Sequence, residues 1–162
     1  MPEGRSRREA LGALGSLIAG GLAGCVGDSS RPRYERRPID VPADAEPRTP
    51  AEATAAAQQA TTDSSSAVVP TTAVDLVDHA FVFESGTLGA TVQGTVRNRA
   101  ESRTEDCEVR VRVYDPQDRL LGHYFDRVEG LGAGRSWGFT AIVLESPGDL
   151  GAYEIAVLAI PP

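Results

Sequence analysis

An all-β domain, a sandwich or a barrel, is predicted for residues 71–162 by three observations. Apolar and polar residues alternate in short runs, turn residues divide those runs at hairpin-like intervals, and no stretch carries a helical period. The domain has about 90 residues, small but sufficient to fold alone.

Six runs account for it. The first covers residues 74–83. The second, residues 88–98, sets Leu88, Ala90, Val92, Gly94 and Val96 on one face against Thr91, Gln93, Thr95 and Arg97 on the other, the pattern of a half-buried strand. In the third, residues 107–114, Cys107 shares a face with Val109, Val111 and Val113. Asp115-Pro116-Gln117-Asp118 then forms a turn with Pro at its second position and the Asp115 side chain opening it. Residues 120–127 return as the hairpin partner. The fifth run, residues 136–144, enters through Leu131-Gly132-Ala133-Gly134 and directs Trp137, Phe139, Ala141 and Val143 inward against the valine face. Residues 153–160 close the domain.

The N-terminal part has a different texture. Arg5, Arg7 and Arg8 precede an uncharged stretch from Ala10 that ends in Leu22-Ala23-Gly24-Cys25, the order of a basic region, an apolar region and a cleavage site. Arg7-Arg8 resembles a twin-arginine export signal, and Leu-Ala-Gly-Cys resembles the lipobox of bacterial and archaeal lipoproteins. The expectation is a signal peptide over residues 1–24 and lipid attachment at Cys25, which holds the protein on the outer face of the cell membrane. The competing reading is an uncleaved span, but Gly12, Gly15, Gly20, Gly21 and Gly24 weaken its apolarity and its helix propensity. Residues 25–70, rich in Pro, Ala, Thr and Ser, are expected to be a disordered linker with a root-mean-square span of about 35 to 40 Å. Within it, Thr49-Pro50-Ala51-Glu52 has the form of a capping box before an Ala-rich stretch.

All 16 basic residues are Arg, against 23 Asp and Glu, for a net charge of -7. Removal of residues 1–24 takes away three Arg and two Glu and brings the mature chain to about -8. An acidic, lysine-free chain resembles proteins of salt-loving archaea, where molar salt shortens the Debye length to about 3 Å and suppresses steering of partners. No basic stripe exists to neutralise nucleic-acid phosphates. With Cys25 lipidated, Cys107 has no intramolecular disulfide partner, so packing alone must hold the domain.

Three segments carry a family resemblance: Gly94-Thr95-Val96-Arg97-Asn98, Val111-Arg112-Val113-Tyr114-Asp115, and residues 131–139 ending in Trp137-Gly138-Phe139. They resemble the successive signatures of the FxLYD family of extracytoplasmic domains. Val111 and Val113 stand where the eponymous Phe and Leu would be, and Ala133 replaces a common Pro. The resemblance implies an immunoglobulin-like antiparallel sandwich of six or seven strands, often lipid-anchored. It makes Gly94, Asn98, Tyr114, Asp115 and Trp137 structural markers and implies no catalytic residue.

The remaining residues form no recognisable catalytic or metal-binding motif. A blue-copper site needs two His and a Cys close together, yet His79, Cys107 and His123 are widely spaced. His79 and His123 lack any motif and read as surface or edge imidazoles. No nucleophile elbow surrounds Ser85, Ser102, Ser136 or Ser146, and Asp115 with Asp118, or Glu105 with Asp106, read as turn and solvent residues. No Asp-rich loop supplies a calcium site. The expectation is therefore a non-enzymatic accessory or interaction module without cofactor or small-molecule substrate, anchored in the membrane and bound to an unknown protein partner. The charged loop of residues 99–106 is the candidate contact. A small copper or redox carrier and an extracytoplasmic hydrolase are the alternatives.

Overall fold

The computed structural model describes residues 31–161. Seven strands form two antiparallel sheets packed face to face: β1 (Glu35–Pro38), β7 (Ala152–Ala159), β4 (Thr104–Tyr114) and β5 (Leu120–Leu131) in one, and β2 (Val74–Phe83), β3 (Ala90–Asn98) and β6 (Ser136–Ile142) in the other. The sandwich expected from the alternating runs is what the chain forms, and the boundaries of all six runs agree within a few residues.

The core lies between the predicted inner faces. Cys107, Val109, Val111 and Val113 of β4 are fully buried, facing Val92 and Val96 of β3 and Phe139 and Ala141 of β6. Burying a side chain of this size contributes about 1.5 to 3 kcal/mol. Trp137 lies on the same inward face but only half-buried, tilted against Phe139 with ring centroids 6.0 Å apart. Between Leu76 and Asp78 a bulge in β2 shifts the register with β3. Just past it Gly94 pairs with His79, where a Cβ would collide with the Asp78 carbonyl oxygen and lie 2.8 Å from the Phe139 ring. Close backbone approach, and not turn geometry, requires glycine there.

The strand order corresponds to the G-F-C-C′ and A-B-E sheets of an immunoglobulin-like sandwich, with one change. The G place, beside the F-like β7, is filled by β1 from the N-terminal segment. This corrects the expected disorder of the linker, whose described part, residues 31–70, is built into the domain. Helix α1 (Pro50–Gln59) carries the predicted capping box, with both Thr49–Glu52 hydrogen bonds made. Beyond it the chain crosses the outer face of the first sheet as a strap. Thr61 bridges to Phe125 on the β5 edge, and Val69 bridges to Ala159 on β7. Between those points the strap is held from below, since Arg127 donates to the Asp63 carbonyl at 3.1 Å and Arg110 to the Ser65 carbonyl at 2.8 Å. Val68 packs on Ala156 and Leu158.

The reason the strap adheres is the outer face of β4. Glu108, fully buried, accepts from the Ser65 amide at 2.7 Å, Arg110 Nε at 2.6 Å and Arg127 Nη2 at 2.7 Å. A buried carboxylate is tolerable only when paired and hydrogen-bonded in this way. Composition concealed it: Pro- and Ala-rich chain cannot order itself, but it can be ordered by a sheet that offers it partners.

Candidate functional site

The markers named from sequence are structural and lie apart. Asn98, fully buried, donates to the carbonyls of Ser102 and Leu131 at 2.9 and 2.8 Å and accepts from the Ala100 amide, which ties the β3–β4 loop to the end of β5. Tyr114 donates to Glu154 at 2.8 Å while Arg36 lies over its ring at 4.6 Å. Burial, followed by the Glu154 bond, raises the Tyr114 phenol above its ordinary pKa. Asp115 opens its turn as predicted, accepting from the amides of Gln117 and Arg119 at 2.9 Å and from Arg119 Nε at 2.6 Å. Arg7, Arg8 and Cys25 lie outside the described residues.

His79 is a correction. It is buried, not at the surface, because it spans the two sheets: Nδ1 is 2.8 Å from the Tyr153 hydroxyl and Nε2 is 3.0 Å from a Glu35 carboxylate oxygen. It thereby joins β2, β7 and β1. His123 is exposed on β5 opposite Arg112, whereas Cys107 pairs with Val128 further along the same strand. Burial, then Asp106 and Glu108, pushes the Cys107 thiol up to about 12. Among the described residues no three His, Cys, Asp or Glu side chains come together as a metal site.

The topology distinguishes two ends of the sandwich. At one end lie residue 31, the start of β2, the β3–β4 loop and the β5–β6 turn; at the other lie the β2–β3 loop, the β4–β5 turn and the β6–β7 connection. The charged loop expected as a contact, residues 99–106, belongs to the first end, where Arg99 pairs with Asp75 and β4 begins at Thr104.

The second end contains a cleft of about 610 Å³ that sequence reading did not find. Its walls are the segment from Pro42 to Ala53, the β2–β3 loop from Phe83 to Ala90, and residues Leu144 to Pro147. Arg48 fastens the first wall to the second, its Nε donating to the Thr87 carbonyl at 2.9 Å and its Nη2 to the carbonyls of Leu88 and Ala90. The guanidinium lies against Gly89, whose φ of 53° and missing Cβ both permit the approach. Burial lowers the Arg48 pKa, against the opposing influence of Tyr124, Glu145 and Glu52.

Carboxylates dominate the remaining lining: Asp44, Glu46, Glu52, Glu84 and Glu145. Tyr124 stands behind Glu145, and burial and then its bond to that carboxylate raise the Tyr124 phenol. Oε2 of Glu145 is buried and makes no hydrogen bond among the described residues. With the Arg48 charge turned toward backbone carbonyls, the cleft presents negative charge beside the Phe83 wall. Such a surface favours a positively charged group with an apolar stem. The residues that define it, Arg48 and Glu145, lie almost a hundred positions apart and in no motif.

No family model matches the chain, and no curated protein matches it. Among solved structures, it is similar to the crystal structure of a DUF1425 family member from Shewanella sp. pv-4, with 16% identity over 57% of this chain and 90% of that one and a TM-score of 0.41.

Proposed function

We propose that this protein is an exported, lipid-anchored surface module of the FxLYD type, without catalytic activity, that presents its acidic cleft to a partner carrying positive charge. The observation that carries the reading is one of polarity: the chain enters the sandwich at the end opposite the cleft. If Cys25 holds the lipid, six residue steps separate it from Arg31, a reach of at most about 21 Å. The domain then stands close to the membrane with the cleft turned outward. The buried Cys107 and the turn-bound Asp115 also support a structural role for side chains that would otherwise suggest chemistry.

Two measurements test it. Intact mass of the membrane-extracted protein should correspond to a chain that begins at a lipid-modified Cys25, and Cys25→Ala should release or misprocess it. A mature mass that retains residues 1–24 without lipid overturns the anchor. A photo-crosslinking residue at Ser85 or Ser146 should yield a discrete adduct in native membranes, which Glu84→Arg with Glu145→Arg removes. Equal adducts from Ser102, at the other end, overturn the assignment of the cleft.

A further inference from the structure

The two ends of the sandwich differ in charge as well as in position, and the difference suggests what the first end touches. Exposed at that end are Arg31 and Arg33 beside the start of β1, Arg97 at the end of β3, Arg99 and Arg103 in the β3–β4 loop, and Arg135 in the β5–β6 turn. Arg33, Arg97, Arg103 and Arg135 form no ion pair among the described residues, and Arg103 lies across the bare backbone of Gly130. The acids nearby are Asp75, taken by Arg99, with Glu101, Glu105, Asp106 and Glu129, one fewer than the six arginines. Most of the remaining excess negative charge resides at the cleft end, in Asp44, Glu46, Glu52, Glu84, Glu145 and Asp149. A chain with net charge -7 has thus placed unpaired arginines on the end where its N-terminal segment leaves the domain.

We propose that this arginine-bearing end is a docking surface for anionic lipid headgroups. The proposal rests on the lipid-anchor reading for its biological setting, while its physical basis is charge complementarity and the place where the chain leaves the domain. Guanidinium groups pair bidentately with phosphate and are weakly hydrated, which suits them to a headgroup layer. Each basic residue near an anionic bilayer strengthens binding about fivefold at moderate salt. In molar salt, the long-range attraction disappears, and direct guanidinium–phosphate contacts, at about the 3 Å screening length, are what remains. Lipid anchor and arginines together would fix the orientation of the domain: headgroups at one end, acidic cleft at the other.

The test uses the chain from residue 25, which carries every element of the sandwich, with Cys25→Ser so that no lipid is present. At about 0.1 M salt, it should co-sediment with phosphatidylglycerol vesicles and scarcely with phosphatidylcholine vesicles. Arg103→Glu with Arg135→Glu should weaken that binding on the order of tenfold or more, with an unchanged melting temperature. A second variant, Arg33→Glu with Arg97→Glu, should do the same, whereas Glu84→Gln with Asp149→Asn at the cleft end should leave the binding within about twofold. Equal binding to both vesicle types, or arginine variants that bind as the parent does, would overturn the proposal. Because the tested chain is lipid-free, such a failure leaves the anchor reading intact; equally, a wild-type protein found without lipid leaves the vesicle result intact.

Discussion

The outer faces of the two sheets have similar polar alternation in sequence and opposite fates in the fold. On the β2-β3-β6 sheet, Asp78, Ala80, Gly138 and Thr140 face solvent. On the β1-β7-β4-β5 sheet, Glu108 is fully buried beneath the strap, and Ala156 and Leu158 are covered with it. The difference arises from what each face offers a passing segment. The first offers hydroxyls, the Gln93 amide and single charges such as Asp78, with no buried cluster of charges to hold a segment. The second offers a carboxylate flanked by two guanidinium groups, able to satisfy both the amide and the carbonyl of Ser65 at once. A polar outer face therefore becomes an interior when its charges are paired and their remaining hydrogen bonds are met by another piece of chain.

The largest expected effect tests that difference directly. Glu108→Ala leaves Arg110 and Arg127 beneath the strap without their shared partner and should cost about 3 to 5 kcal/mol in urea denaturation. A cost under about 1 kcal/mol would show that the strap lies on the sheet without stabilising it. Native-state hydrogen exchange sharpens the same point. The amides of Ile39, Ser65 and Val69, which bond to Gly151, Glu108 and Ala159, should be protected in wild type. In Glu108→Ala, Ser65 and Val69 should lose more protection than Val143, whose amide bonds to Ala90 in the sheet opposite.

Trp137 provides the inward counterpart. Fully buried Trp loses about 3 to 5 kcal/mol on truncation to Ala, but this ring is half-buried at the sandwich margin, so about 2 kcal/mol is expected. Its emission should be blue-shifted, with partial accessibility to acrylamide; quenching as ready as that of free indole would place the ring outside.

Acid should act on the turn. The Asp115 carboxyl is held below its ordinary 3.8, first by the Arg119 amide, then by the Arg119 guanidinium and the Gln117 amide. The folded state therefore binds that proton more weakly than the unfolded state. Its stabilisation is complete above the ordinary value and disappears as pH falls through the lowered one. The stability gap between wild type and Asp115→Ala should be constant near neutrality and shrink below about pH 4. A gap that persists at pH 2 would assign the loss to packing. The smallest effect belongs to the open face, where Thr95→Ala should change stability by about 0.5 kcal/mol or less.

Much of the sandwich was legible because strand periodicity is local: Cys107, Val109, Val111 and Val113 declare a buried face through spacing alone, and Phe139, Ala141 and Val143 declare its opposite. The Asp115 turn and the Thr49–Glu52 capping box were readable for the same reason, since each closes its hydrogen bonds within four residues. The cleft was not readable. Arg48 meets carbonyls some forty positions later, at Thr87 and Leu88, and no local pattern encodes that meeting. His79 was misplaced on the surface because its partners, Glu35 and Tyr153, come from the two ends of the domain.

By itself, then, the sequence determined which residues turn inward along each strand, where the hairpin turns, and where helix α1 begins, all through interactions between near neighbours. Only the tertiary structure decided that β1 completes a sheet begun at β4, that Pro- and Ala-rich chain is held over Glu108, and that exposed arginines and an acidic cleft come to opposite ends of the domain. These depend on loop closures of tens of residues, whose entropy cost is offset only when the complete sheet presents partners for every buried donor and acceptor.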